Sequence, residues 1–145
     1  MKVFKFGGAS IRDAASIQNM AQIVLANAGE PLLIVVSAMG KTTNAFEEVL
    51  ALRHNQSACK EKLESIECFH LDIAKEILGD HPVSQSIREI VQSALDHISS
   101  SLPYGELYDH VVSCGELLSS RLIHACLQQQ GVSVSWLDAR KCILT

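Results

Sequence analysis

The stretch Leu32-Leu33-Ile34-Val35-Val36-Ser37-Ala38-Met39-Gly40-Lys41-Thr42-Thr43-Asn44 decides the fold. Its first five residues are a continuous apolar run, entered through Pro31. A run without polar alternation predicts a strand buried on both faces, as in a parallel sheet with helical crossovers. A small polar loop follows, and a helix is predicted from near Thr43 through Val49 to Leu52. Open parallel sheets bind ligands at the carboxyl ends of their strands. Ser37, Thr42 and Thr43 offer hydroxyl donors at that place, and Gly40 leaves room. The structural reading of the same loop is a helix N-cap from Thr42 or Thr43. Gly40-Lys41-Thr42 also resembles the end of a P-loop, but that pattern needs glycine at position 35. Val35 stands there, so the loop cannot wrap a diphosphate in that way.

Upstream, Lys2 to Phe6 is a short segment rich in β-formers, ended by Gly7-Gly8. Ser10 and Asp13 are candidate N-caps. Ile17, Met20, Ala21, Val24 and Leu25 then share one helical face, and Gly29 is expected to stop that helix. Downstream, helices are predicted over about Cys59 to Leu78 and Val83 to Ile98. A long helical region should run from about Glu106 to Gln130, with Gly131 as its C′ residue. Val132 to Leu137 alternates as a strand, with Val132, Val134 and Trp136 on one side. Cys142 to Thr145 reads as the start of another strand. The order β, α, β, several α, β predicts an α/β domain. A chain that ends inside a strand is expected to be part of something longer.

Composition narrows the function classes. The 145 residues are 48% hydrophobic but only 5% aromatic, so the core must be built from aliphatic side chains. The net charge is -4 and no basic block marks a nucleic acid or anionic membrane partner. No apolar run is long enough to span a bilayer. The five cysteines include no C-x-x-C pair, and no signal peptide precedes them, which fits a reduced, cytoplasmic setting. The six histidines are scattered without metal-site spacing, so no metal ligands are assigned.

Four short stretches carry chemistry. Lys5-Phe6-Gly7-Gly8-Ala9-Ser10 sets an ammonium at a strand end before paired glycines. Such glycines let backbone N–H groups approach a phosphate, and the following helix adds a positive dipole end. Its plainer reading is an ordinary strand–turn–helix corner. Ser37 to Asn44 is the second stretch. Ser113-Cys114-Gly115-Glu116 is the third. A glycine within a helix costs roughly 1 kcal/mol against alanine, so Gly115 suggests close approach of a backbone or ligand. Glu116 is either a solvated helix residue or a group that orients an amino function. The fourth is Asp138-Ala139-Arg140, read mainly as a local ion pair or turn cap.

In order, these stretches resemble the aspartate kinase branch of the amino acid kinase family. That family opens with K-F-G-G-T-S, matched by Lys5 to Ser10. Its V-S-A-M-x-x-x-T-[DN] pattern is matched from Val36 to Asn44. Its S-x-G-E-x-x-S pattern is matched by Ser113, Gly115, Glu116 and Ser119, and its D-A-R by Asp138 to Arg140. The resemblance implies a three-layer fold, a mainly parallel sheet flanked by helices, present here in truncated form. It implies transfer of the ATP γ-phosphoryl group to the side-chain carboxylate of L-aspartate, with Mg²⁺ accompanying the nucleotide.

In such a scheme Lys5 is catalytic and stabilises charge on the transferred group. Lys5, Gly7, Gly8, Ser10 and Ser37 face ATP, whereas Ser37, Thr43 and Glu116 hold aspartate. The resemblance also implies a cytoplasmic homo-oligomer with no nucleic-acid or membrane partner. Residues 1–145 would form the amino-terminal, aspartate-binding part of the kinase domain. The ATP-binding part, with its G-R-G-G-S-D motif, and the ACT regulatory domains would lie beyond Thr145. The chain alone is then expected to be inactive. Two departures stand out: Ala9 replaces a threonine, and Lys41 sits where a small residue is usual. The competing readings are the kinase part of a bifunctional aspartate kinase–homoserine dehydrogenase and a non-catalytic binding or dimerisation module.

Overall fold

The structure, a computed structural model, describes residues 1–143. Strand β1 (Lys2–Phe6) leads through a 3-10 turn (Gly8–Ile11) into helix α1 (Ala14–Leu25), which returns the chain to β2 (Leu32–Val36). Five helices follow: α2 (Thr42–Ala51), α3 (Gln56–Leu78), α4 (Val83–Ile98), α5 (Tyr104–Val112) and α6 (Cys114–Gln129). A second 3-10 turn covers Ala139–Lys141. The strands are parallel and in register from Lys2 opposite Leu32 to Phe6 opposite Val36. A parallel pair needs a crossover, and α1 supplies it.

The helices form where apolar residues recur every three or four positions. In α3 the buried stripe is Cys59, Leu63, Ile66, His70, Ile73 and Ala74; in α4 it is Val83, Ile87, Val91 and Ala94. These stripes pack with Leu118, Leu122 and Leu127 of α6 and with Phe46 of α2 into one core. Asp13 caps α1 as expected, accepting hydrogen bonds from Ser16 N at 2.8 Å and Ser16 Oγ at 2.6 Å. Gly131, at φ +81°, takes the left-handed position after α6.

Several expectations need correction. The sheet is covered on one face only among the described residues. Phe6, Leu32, Ile34 and Val36 pack against the helical core, but Leu33 and Val35 are each 44% exposed and Val3 is 58% exposed. The apolar run therefore reports a strand correctly, while no helix among the described residues covers its second face. Residues 132–137 are extended and alternate in burial as expected, yet form no strand. Their contacts run to side chains of α6 instead of a β ladder. His124 Nε2 lies 3.3 Å from Val134 O, Trp136 Nε1 donates to Ser120 Oγ at 3.0 Å, and the Arg121 guanidinium sits 3.5 Å over the Trp136 ring.

The expected long helix is two helices. Ser113 ends α5 and begins α6, so Gly115 lies in a first turn and not in a helix interior. Ser10 caps nothing, since it sits within the first 3-10 turn. Lys41, not Thr42 or Thr43, precedes α2, without a side-chain cap. Gly29 lies in the turn beyond α1, which already ends at Leu25. Cys142 belongs to a turn, and Leu144 and Thr145, where a further strand was expected, lie outside the described residues.

Candidate functional site

The loops leaving β1 and β2 are stitched together where the strands end. Ser37 N donates to Phe6 O at 3.1 Å, and Gly40 N donates to Gly8 O at 3.0 Å. The second bond needs the loop backbones to touch. A Cβ at Gly8 would fall 2.6 Å from Ala38 O and 3.1 Å from Gly40 O, so no side chain fits there. Gly7 has open space around it. Paired glycines thus have separate uses: Gly8 admits the neighbouring loop, and Gly7 faces outward.

Helix α6 meets the same loop from the core side. A Cβ at Gly115 would stand 2.9 Å from the Ala38 Cβ, which explains glycine at this position. Beside it, the Glu116 Oε1 accepts a hydrogen bond from Ala38 N at 3.4 Å. One turn on, buried Ser119 donates from Oγ to Ser37 O at 2.8 Å. Glu116 lies in the first turn of α6, where the helix dipole favours a carboxylate. Thr42, also buried, packs behind Gly115 at the start of α2, and half-buried Thr43 follows it.

Glu116 also lines a cleft of about 770 Å³ with His97, Tyr108, His110, Asp138, Arg140 and Lys141. A second cavity of about 220 Å³ adjoins it through Ser93, His97, His110 and Arg140. The imidazoles of His97 and His110 stack at 4.4 Å between ring centres. Arg140 grips Asp138 with two bonds, Nε to Oδ1 at 3.0 Å and Nη2 to Oδ2 at 2.8 Å. The Arg140 hydrogen bonds hold the Asp138 carboxyl below the usual carboxylate range, against the opposing pull of burial. Burial pushes the Cys114 thiol up to about 11, so it stays protonated and is no nucleophile at neutral pH.

The sequence-selected residues therefore divide. Gly8, Ser37 and Glu116 converge on one seam, with Thr43 at its edge in the first turn of α2. Lys5 is paired in register with Val35 and is exposed on the uncovered face of the sheet. Ser10 is exposed in the 3-10 turn. Lys5, Ser37 and Thr43 line neither of the two cavities. Sequence reasoning passed over Ala38 as a donor and Ser119 as a contact, although both sit inside quoted motifs. It also passed over His97 and His110, which carry no motif. The Asp138–Arg140 ion pair is present as read.

The polar seam lies at the exits of parallel strands, the place where open α/β sheets bind ligands. Residues 1–144 match the amino acid kinase family, and the chain belongs to that family. It is 33% identical to aspartokinase 1, chloroplastic, of Arabidopsis thaliana over 94% of its own length and 25% of that protein. It is 31% identical to bifunctional aspartokinase/homoserine dehydrogenase 2 of Escherichia coli, over 97% of its length and 18% of that protein. The fold superposes on E. coli aspartokinase III in complex with aspartate and ADP with a TM-score of 0.81 at 28% identity, covering 97% of this chain and 32% of that one. The chain thus spans about a quarter or less of the two sequence relatives.

Proposed function

We propose that this chain is the aspartate-binding part of an aspartate kinase, the enzyme that makes 4-phospho-L-aspartate at the start of lysine, threonine and methionine biosynthesis. The observation that carries the reading is the seam itself, in which Glu116 reaches the Ser37–Ala38 backbone across 78 residues of sequence. The E. coli relative crystallised with aspartate and ADP supports the same substrates here.

In the reaction, an oxygen of the aspartate side-chain carboxylate attacks the γ-phosphorus, and the bond to the β-phosphate oxygen breaks to release ADP. Such transfer depends on alignment and charge neutralisation more than on covalent help. Lys5 is the catalytic ammonium on the transferring oxygens. Gly7, Gly8 and Ser10 face the phosphates, and Ser37 stands between the two substrates. Thr43 and Glu116 hold aspartate. One contact to Ala38 N leaves the Glu116 carboxylate with acceptor capacity for the substrate ammonium. Mg²⁺ enters as part of the nucleotide substrate. The remaining ATP-binding part and any ACT domains belong to residues outside this segment. Monofunctional and bifunctional relatives match at similar identity, so the parent enzyme is of either kind. Five free cysteines support a reducing compartment, which we take to be the cytoplasm, and a homo-oligomeric assembly follows the family.

The test is a coupled assay of ATP consumption in the complete gene product, with and without L-aspartate. Changing Lys5→Ala should lower turnover by about 10²–10³, the usual loss for a preorganised charge-stabilising donor. Near-normal turnover in that variant removes Lys5 from the mechanism.

A further inference from the structure

The two contacts between α6 and the strand-exit loop end on one peptide unit. The carbonyl of Ser37 accepts from Ser119 Oγ at 2.8 Å, and the N–H of Ala38 donates to Glu116 Oε1 at 3.4 Å. A peptide unit is planar and rigid, so holding its oxygen and its nitrogen sets its direction and leaves only rotation about the line between them. Residues three apart on a helix share a face, which lets Glu116 and Ser119 reach the same unit from successive turns. Gly115 puts no side chain between the helix and Ala38, where a Cβ would stand 2.9 Å from the Ala38 Cβ.

The shorter contact comes from Ser119, which is wholly buried. Its hydroxyl lies 2.8 Å from Ser37 O and 3.1 Å from Glu116 O, so the shorter of its two contacts is the one to the loop. A serine in an α6 stripe of Leu118, Leu122 and Cys126 has no packing reason to be polar. Its hydroxyl is explained by the carbonyl it meets.

We propose that Ser119 is a positioning residue. It orients the Ser37–Ala38 peptide, and through it the Ser37 side chain, relative to Glu116. The inference rests on the aspartate kinase reading above for its catalytic consequence, but its structural half stands alone. Ser119 touches no substrate and acts only through the loop. Ser37 stands between the two substrates, so misdirecting it slows transfer, while Lys5, Gly7, Gly8 and Ser10 still hold the nucleotide; the effect falls mainly on kcat.

The experiment compares wild-type complete gene product with Ser119→Ala. Two quantities are read: the kinetics of aspartate-dependent transfer, and hydrogen exchange of the peptide covering Val36 to Met39 by mass spectrometry. Alanine is smaller than serine and favours the helix, and unchanged exchange in α3 and α4 reports that the variant is folded. The proposal expects kcat to fall about tenfold or more, the scale of a small misplacement, with KM for ATP within about twofold. It also expects faster exchange in that peptide while the α3 and α4 peptides stay unchanged. A kcat within about twofold of wild type, or unchanged exchange at Val36 to Met39, overturns it. Should wild-type protein lack aspartate-dependent activity, the functional reading falls, and the exchange result alone decides whether Ser119 holds the Ser37–Ala38 peptide.

Discussion

Gly7 and Gly8 are neighbours in sequence with opposite demands on space. A methyl group at Gly8 would overlap backbone oxygens of Ala38 and Gly40, and backbone cannot swing aside as a side chain can. Gly8→Ala should therefore destabilise the fold by about 1–3 kcal/mol, the range for forced overpacking. Gly7 has an ordinary φ of -77° and nothing within 4 Å, so Gly7→Ala should be neutral or stabilising by up to about 1 kcal/mol. Urea unfolding of both variants checks this, and equal costs would mean that the loops do not touch at Gly8. The sequence reading gives the paired glycines close approach to a phosphate, and it does not foresee that one of them meets a neighbouring loop. Which glycine does so was not legible, because the contact is set by a loop 30 residues away. Glu116 is a similar case: its motif was readable, but its hydrogen-bond partner is fixed only when α6 docks beside β2.

The elements show a consistent division between what periodicity reveals and what it hides. Helices α2, α3 and α4 were legible to within a few residues because each repeats an apolar stripe. The break between α5 and α6 was not, since Ser113 keeps helical dihedrals of φ -63° and ψ -15° and interrupts no hydrophobic pattern. The stripe of α3 also carries His70 into the core. His70 Nδ1 lies 2.7 Å from Ile66 O and so donates to it, which leaves Nε2 as a buried lone pair without a partner among the described residues. Burial lowers the His70 pKa, opposed in part by the Ile66 bond. The unfolded chain then binds this proton more readily than the folded one. Stability from neutral His70 is full above the ordinary imidazole value of about 6.5 and is lost as pH falls through the depressed folded value. Denaturant unfolding between about pH 5 and 8 should show a steeper acid-side loss in wild type than in His70→Phe. Parallel curves would mean that His70 titrates as it does in water.

At the scale of the whole molecule, the helical core and the strand-exit loop are one mechanical unit joined at Gly115 and Ala38. Helix α6 is buried along Leu118, Leu122 and Leu127, so it cannot retreat without disturbing α3 and α4. This is why the fold class was readable from one apolar run and four motifs, whereas the seam was not: the seam exists only when α6 is pinned from behind. The pinning has a measurable consequence. Gly115→Ala sets a methyl group 2.9 Å from the Ala38 Cβ, closer than two carbons tolerate, while its other neighbours stand at ordinary contact distances of 3.5 and 3.8 Å. The strain therefore falls on one atom pair. Gly115→Ala alone should cost about 1–3 kcal/mol and weaken the Glu116 contact with Ala38 N. Ala38→Gly alone should cost no more than about 1 kcal/mol, from added backbone freedom. Combined, the two changes should be less damaging than their sum by about 0.5–3 kcal/mol, because the glycine at position 38 removes the atom that clashes. Simple additivity in that cycle would show that α6 and the loop do not meet at this point. It would also separate the candidate site from the core that is meant to hold it.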